Sequence, residues 1–161
     1  RIDEVEFSDG RWPTKHWKTL QACYGRAENW HSVAPRLEAF FQRPYQNVVD
    51  VTLASVELLF KAFAVDTEIV RASSLRAQGE KSELVLSILT ELGATRYLSG
   101  RTGASYLDHE EFRRQGIEIE VPSFVPNVAR VLPVEETGRV SALDAWVSLG
   151  EDAPTLLENP S

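Results

Sequence analysis

The sequence predicts one α/β domain over residues 1–161, a Rossmann-like layered fold with a short, mostly parallel sheet flanked by helices. Three observations predict it. Apolar residues recur at helical spacing in segments separated by short β-prone runs. Helix and strand alternate through the middle of the chain, and helical crossovers make the strands they join parallel. The chain has 161 residues, 43% hydrophobic and 25% charged, enough to bury one core.

Each element has its own local reason. Ile2, Val5 and Phe7, ahead of Ser8-Asp9-Gly10, read as a short edge strand and turn. Pro13-Thr14 opens a helix with Thr14 as cap, and Trp17, Leu20 and Tyr24 share one face until Gly25. Ser32 caps a second helix over 33–41, with Pro35 in its first turn and Pro44 ending it. Asn47 or Asp50 starts a third, well-buried helix to Phe63, with Leu53, Val56, Leu59, Phe60 and Phe63 on a broad apolar face. Residues 67–72 then read as a strand ending in Ser73-Ser74.

The next helix spans 80–92, and Gly93 stops it. Residues 95–98 form a strand and 99–103 a turn. Asp108 and Glu111 make a capping pair for a short helix that ends at Gly116. Residues 117–121 alternate apolar and acidic, as in a half-exposed strand, and 122–138 are irregular. Ser141 and Asp144 form a second capping box for a helix to Gly150, after which the tail beyond Pro154 frays.

Composition excludes several function classes. Cys23 is the single cysteine, so neither an intrachain disulfide nor a cysteine zinc site is expected. His16, His31 and His109 lack a two-ligand spacing, so no metal is expected either. The net charge is −7, with the excess acid after residue 100, which argues against nucleic-acid binding there. Even the apolar run 51–63 is broken by Glu57 and Lys61, so no membrane span is expected; with no signal peptide either, the sequence reads as soluble and cytoplasmic. The chain begins at Arg1 and has no methionine, which predicts that further residues precede it.

Ligands in open parallel sheets sit beyond the carboxyl ends of the strands. Two of those predicted ends carry polar residues, Ser73-Ser74 and Ser99-Gly100-Arg101. The second continues through Gly103 to Tyr106 and Asp108. It is either an anion-holding loop gripped by Arg101 or a tight turn with a surface arginine, and Asp108 already has work as a helix cap. Lys81, at a helix start where a cation is disfavoured, either reaches an anion near Ser73 or projects into water. The 79–82 run lacks the glycine spacing of a phosphate-binding loop. Between Arg11 and Lys18 lie Trp12, Lys15, His16 and Trp17, a cationic and aromatic cluster that either holds a ligand or flanks a core tryptophan. His16 is the candidate proton-transfer group, without a nucleophile at triad spacing. Cys23 reads as a small apolar residue without a base to activate it.

The order of motifs resembles the WbqC-like family. It runs through Trp12, Lys15-His16 and Tyr24, then Val70, Ser73-Ser74-Leu75, Gly79, Lys81 and Leu84. The most specific part is Leu92-Gly93-Ala94-Thr95 with Tyr97-Leu98-Ser99-Gly100, followed by Gly103 and Tyr106-Leu107-Asp108. Phe112, Gly116-Ile117 and Ser141 with Leu143-Asp144 complete it. Two features depart from the family pattern: the opening strand with its His-Gln-Pro-x-Tyr-type loop is missing here, and 122–138 lacks an aromatic, proline-rich run.

The resemblance implies a bacterial cytoplasmic protein of O-antigen, surface-polysaccharide or specialised-metabolite pathways, shortened at its N-terminal strand region. The expected activity is a transferase acting on a small anionic intermediate, nucleotide-linked or carrier-linked. His16 and Lys15 would be catalytic, and Ser73, Ser74, Lys81, Ser99, Gly100, Arg101, Gly103, Tyr106 and Asp108 would bind the anion. The alternative is a non-catalytic accessory or ligand-binding subunit of the same pathway.

Overall fold

The structure, a computed structural model, describes residues 2–122 and 140–157. They fall into two compact units. The first holds residues up to Asp66 together with the C-terminal part of the chain, and the second begins at Thr67.

The first unit is helical. Helices α1 (Trp12–Tyr24), α2 (Trp30–Gln42) and α3 (Val48–Ala62) are joined by α7 (Ala142–Leu149), which is followed by a 3-10 segment, Gly150–Leu156. Its core is Val33 and Leu37 of α2, Ala62 and Phe63, Ala145, Trp146 and Val147 of α7, and Ala153 and Leu156. Trp17, Leu20 and Tyr24 of α1 lie against it, as their spacing predicts. Two long-range hydrogen bonds fix α7. Asn29 Nδ2 donates to the Ser148 carbonyl at 2.8 Å, and Tyr24 Oη donates to Asp144 Oδ1 at 2.6 Å. The predicted capping box is present: Asp144 N–H donates to Ser141 Oγ, and Ser141 N–H to Asp144 Oδ2.

The second unit contains helix α4 (Lys81–Glu91), strand β1 (Arg96–Leu98), the short helices α5 (Arg101–Ala104) and α6 (His109–Arg114), and strand β2 (Glu118–Glu120). The strands pair in parallel, Arg96 opposite Glu118 and Leu98 opposite Glu120, with α5 and α6 as the crossover. Gly93 and Gly116, at φ +65° and +74°, end α4 and α6 in the left-handed conformation that glycine adopts freely. Phe112, fully buried, centres a core with Leu89, Leu107 and Ile117. The fold is thus mixed and helix-rich, with a two-stranded parallel sheet among the described residues.

Several expectations are corrected. Residues 2–7 are not a strand: Ile2–Glu4 is a 3-10 turn, the Val5 carbonyl accepts from Val48 N–H, and Phe7 stacks on Trp12 at 5.0 Å. Residues 67–71 are not a strand either. Ile69 and Val70 are each 41% exposed and no described strand pairs with them, so β propensity has no partner to act through. Residues 99–103 are not a simple turn, because Arg101–Ala104 is a short helix. Thr14 is not the cap of α1; Arg11 holds that position.

Helix α2 starts a turn earlier than predicted, at Trp30, which places Pro35 inside it. The Trp30 ring stacks with Trp17 at 5.6 Å and Tyr24 at 6.4 Å, and that contact recruits the extra turn. Of the two expected starts of helix α3, Asn47 is the cap and Asp50 lies in the first turn, and only Ala54 and Ala62 within the helix are buried. The tail does not fray at Pro154, since Leu156 is buried in the core. Residues 123–139, most of the segment expected to be irregular, lie outside the described residues.

Burial, and then the hydrogen bond to Asp144 and its charge, push the Tyr24 hydroxyl up to about 12. Burial alone would raise the Asp144 carboxyl, but hydrogen bonds from Ser141 and Tyr24 outweigh it and hold the group below the usual carboxylate value. The signs set two windows. Between pH 10 and about 12 the unfolded tyrosine ionises before the folded one, so stability falls as pH rises. The Asp144 contribution is present above the ordinary carboxylate value and is lost as pH falls through the lowered one. All four tryptophans, Trp12, Trp17, Trp30 and Trp146, belong to the first unit and report its unfolding. In urea titrations followed by their fluorescence, Tyr24→Phe flattens the loss of stability between pH 10 and about 12 relative to the unmodified chain; an unchanged slope contradicts this assignment.

Candidate functional site

In the first unit the predicted residues lie on α1. Arg11, Lys15 and Lys18 recur at i, i+4 and i+7 and share one face of the helix. Along that face runs an open hollow of about 730 Å³, lined by Ser8, Asp9, Arg11, Trp12, Thr14, Lys15, His16 and Lys18. Asp9 is the acid in this lining, and it is engaged. Its carboxylate accepts Arg11 N–H at 2.7 Å and the guanidinium at 3.0 Å, and these bonds hold it below its usual value. Lys15 and Lys18 line the hollow without an ion pair among the described residues, Lys15 next to the first turn of α1 where the helix dipole is also positive. The His16 ring meets Trp12 edge-on at 5.9 Å and lies 6.5 Å from Phe41, so aromatic contacts set its orientation.

In the second unit the chain from Ser99 to Asp108 folds back on the start of α4. Ser82 Oγ accepts Asp108 N–H at 2.8 Å, which ties Lys81's helix to the residues just after Tyr106. Asp108 caps α6 by accepting Glu111 N–H. The sequence shows Ser82 only as the end of the 79–82 run, where a serine in a first helical turn carries no mark of a long-range partner. Lys81 is exposed and left-handed at φ +50°, so the chain enters α4 through a strained residue. Arg101 and Tyr106 are exposed, and Gly100, in open space, caps α5.

Ser99 is different: it is 2% exposed. Its N–H donates to the Glu120 carbonyl at 2.8 Å, and its hydroxyl leans toward the Gly100 carbonyl at 3.2 Å. A Cβ at Gly103 would lie 2.6 Å from Ser99 Oγ, so Gly103 is small because α5 lies directly on Ser99.

Ser73 and Ser74 are set apart from Lys81. They sit in a 3-10 turn, Ala72–Ser74, where Ser74 Oγ donates to the Arg71 carbonyl. The chain then runs antiparallel along α4: Arg76 N–H donates to Glu91, and Gln78 N–H to Ser87 Oγ. Ser73-Ser74 thus lies toward the C-terminal end of α4 and Lys81 at its start, a helix length of roughly 16 Å. No described strand ends at Ser73, contrary to expectation. A hollow of about 330 Å³ in this unit is lined by His109, Arg113, Gly116, Ile117, Glu118 and Ile119, none of them a predicted site residue. Among the described residues no three His, Cys, Asp or Glu side chains gather as a metal set, and no helix is long and apolar enough to cross a membrane.

The Ser99–Gly103 contact yields a double-variant prediction. Gly103→Ala destabilises the second unit by about 1–3 kcal/mol through overpacking, and adding Ser99→Ala recovers part of the loss. Calorimetric unfolding measures both; a Gly103→Ala chain as stable as the unmodified one contradicts the contact.

A Mycobacterium tuberculosis (strain ATCC 25618 / H37Rv) protein named "Uncharacterized protein Rv1507c" is 22% identical over 161 residues, 98% of this chain and 69% of its own length. No solved structure gives a significant match. The profile of the WbqC-like protein family covers residues 1–155, and the chain belongs to that family.

Proposed function

We propose that this chain is a biosynthetic enzyme of transferase type that holds a small anionic intermediate in the hollow beside α1. One observation carries the reading: Lys15, Lys18 and His16 line a hollow of about 730 Å³ whose acid, Asp9, is already bound to Arg11. The net positive lining suits a phosphorylated group, such as a nucleotide-linked or carrier-linked substrate supplies. Lys15 binds the anion, and His16 moves the proton that a group transfer releases or consumes.

Lys81, Arg101 and Tyr106 of the second unit are read as a further anion-holding set, with Ser99, Gly100, Gly103 and Asp108 shaping the backbone beneath it and Ser73-Ser74 a separate hydroxyl pair. The chain is read as one functional domain, with its parallel strand pair as a small Rossmann-like sheet. A pathway for surface polysaccharide or specialised metabolites, in the cytoplasm, fits this chemistry.

The non-catalytic, accessory reading has one observation in its favour. Among the described residues the His16 ring contacts are aromatic, with no carboxylate orienting it. Incubation with nucleotide sugars and acyl donors separates the two. Turnover is expected, with His16→Ala lowering its rate about 10²–10⁴-fold while binding is retained. Lys15→Ala weakens binding with unchanged thermal denaturation. Saturable binding without turnover supports the accessory role, and binding unchanged in Lys15→Ala overturns the assignment of this hollow.

A further inference from the structure

A second constellation lies in the first unit, where α2 ends and α3 runs past it. Arg43 caps α2, and its guanidinium sits over the Tyr45 ring, 5.7 Å from the centroid. That ring is itself fixed. Tyr45 Oη donates to the Phe40 carbonyl at 3.0 Å, and the ring meets Phe40 at 5.4 Å and Trp12 at 6.1 Å. Arg43 is therefore held on a platform, with the edge of its fork left for a partner.

Glu57 of α3 faces Arg43 across this place. Both line a hollow of about 410 Å³ with Tyr45 and Asp50, and both line a neighbouring hollow of about 230 Å³ with Lys61. Burial raises the Tyr45 hydroxyl, with Arg43 pulling it down and Glu57 pushing it up, so both charges act on the same ring. Arg36 pairs with Glu151 at 3.1 Å, whereas Asp50, which accepts Gln46 N–H at 3.3 Å, keeps its charge and adds a second carboxylate to the larger hollow, as Lys61 adds a cation to the smaller one. Among the described residues Arg43 and Glu57 form no ion pair, with each other or with a third side chain.

A cation facing a carboxylate, with Asp50 a second carboxylate in the same lining, selects a ligand with both charges. A simple anion satisfies Arg43 and is repelled by Glu57; a simple cation meets the reverse. We propose that the Arg43–Tyr45–Glu57 hollow binds a small zwitterion of amino-acid type. Its carboxylate lies on the Arg43 fork and its ammonium on the Glu57 carboxylate, each through charge-assisted hydrogen bonds. The volume of about 410 Å³ is ample for such a molecule and its side chain. The inference stands independently of the α1 hollow, from which the Tyr45–Trp12 ring contact separates it, Trp12 lining the one and Tyr45 the other.

Calorimetric titration of the full chain tests it, with glycine, glutamate and phenylalanine as probes beside their N-acetyl and methyl-ester forms. At least one free amino acid binds saturably, and blocking either of its charges weakens binding about tenfold or more. Arg43→Gln and Glu57→Gln each cost a similar factor with thermal denaturation unchanged, since both side chains are exposed. Arg71→Gln, in the other unit, leaves binding as it was. No saturable heat with any free amino acid, equal binding of the blocked forms, or undiminished binding by the Arg43 and Glu57 variants overturns the proposal.

Discussion

The hydrogen bond from Tyr24 to Asp144 joins residues 120 positions apart, and the orientation of α1 depends on it. No residue within α1 is fully buried. The helix is held by the Trp17–Trp30 and Tyr24–Trp30 stacks, by apolar contact with the core, and by this bond at its last residue. Asp144 answers two demands at once, closing the capping box of α7 and accepting from Tyr24. Its desolvation opposes the charged form, and the combined hydrogen bonds prevail. A helix fixed at its far end by a buried-side network can keep its near end open to solvent, and that near end carries Lys15 and His16.

Local chemistry was legible in the sequence wherever a residue's role is satisfied within a few positions. The Ser141–Asp144 box, the Asn47 and Asp108 caps and the Gly93 and Gly116 stops all follow from side-chain and backbone rules of short reach. The β1–crossover–β2 parallel pair was legible too, because turn residues bound the first strand and alternation marks the second. What misled was β propensity without a partner. Residues 67–71 and Ile2–Phe7 are composed like strands, yet a strand exists only through its neighbour, and composition does not say whether one is present. The start of α2 was misplaced for a related reason, since the stack of Trp30 on Trp17 is tertiary.

The candidate site residues divide along the same line. Lys15 and His16 sit one helical position apart in a cationic run that the sequence displays openly, and their hollow follows from it. Ser99 and Gly103 were marked for their small size and polarity, and their close packing supplies a structural reason for both traits. The Ser82–Asp108 bond and the placement of Arg43 and Glu57 on one hollow have no linear signature, because the residues are separated by 26 and 14 positions. Charge alone did not single out Arg43 from the other surface arginines; its seat on the Tyr45 ring does.

The first unit is built from two stretches of chain, with the second unit interposed. This has a consequence for how the protein is made. Helices α1 to α3 emerge from the ribosome with an apolar face whose complement, Ala145, Trp146 and Val147, is translated only after the interposed unit. The interposed unit is contiguous and gathers its own core around Phe112, so it is free to close while the earlier helices wait. During synthesis the vulnerable species is therefore a chain whose interposed unit has closed while helices α1 to α3 still lack their later covering, a state for which chaperones and aggregation compete.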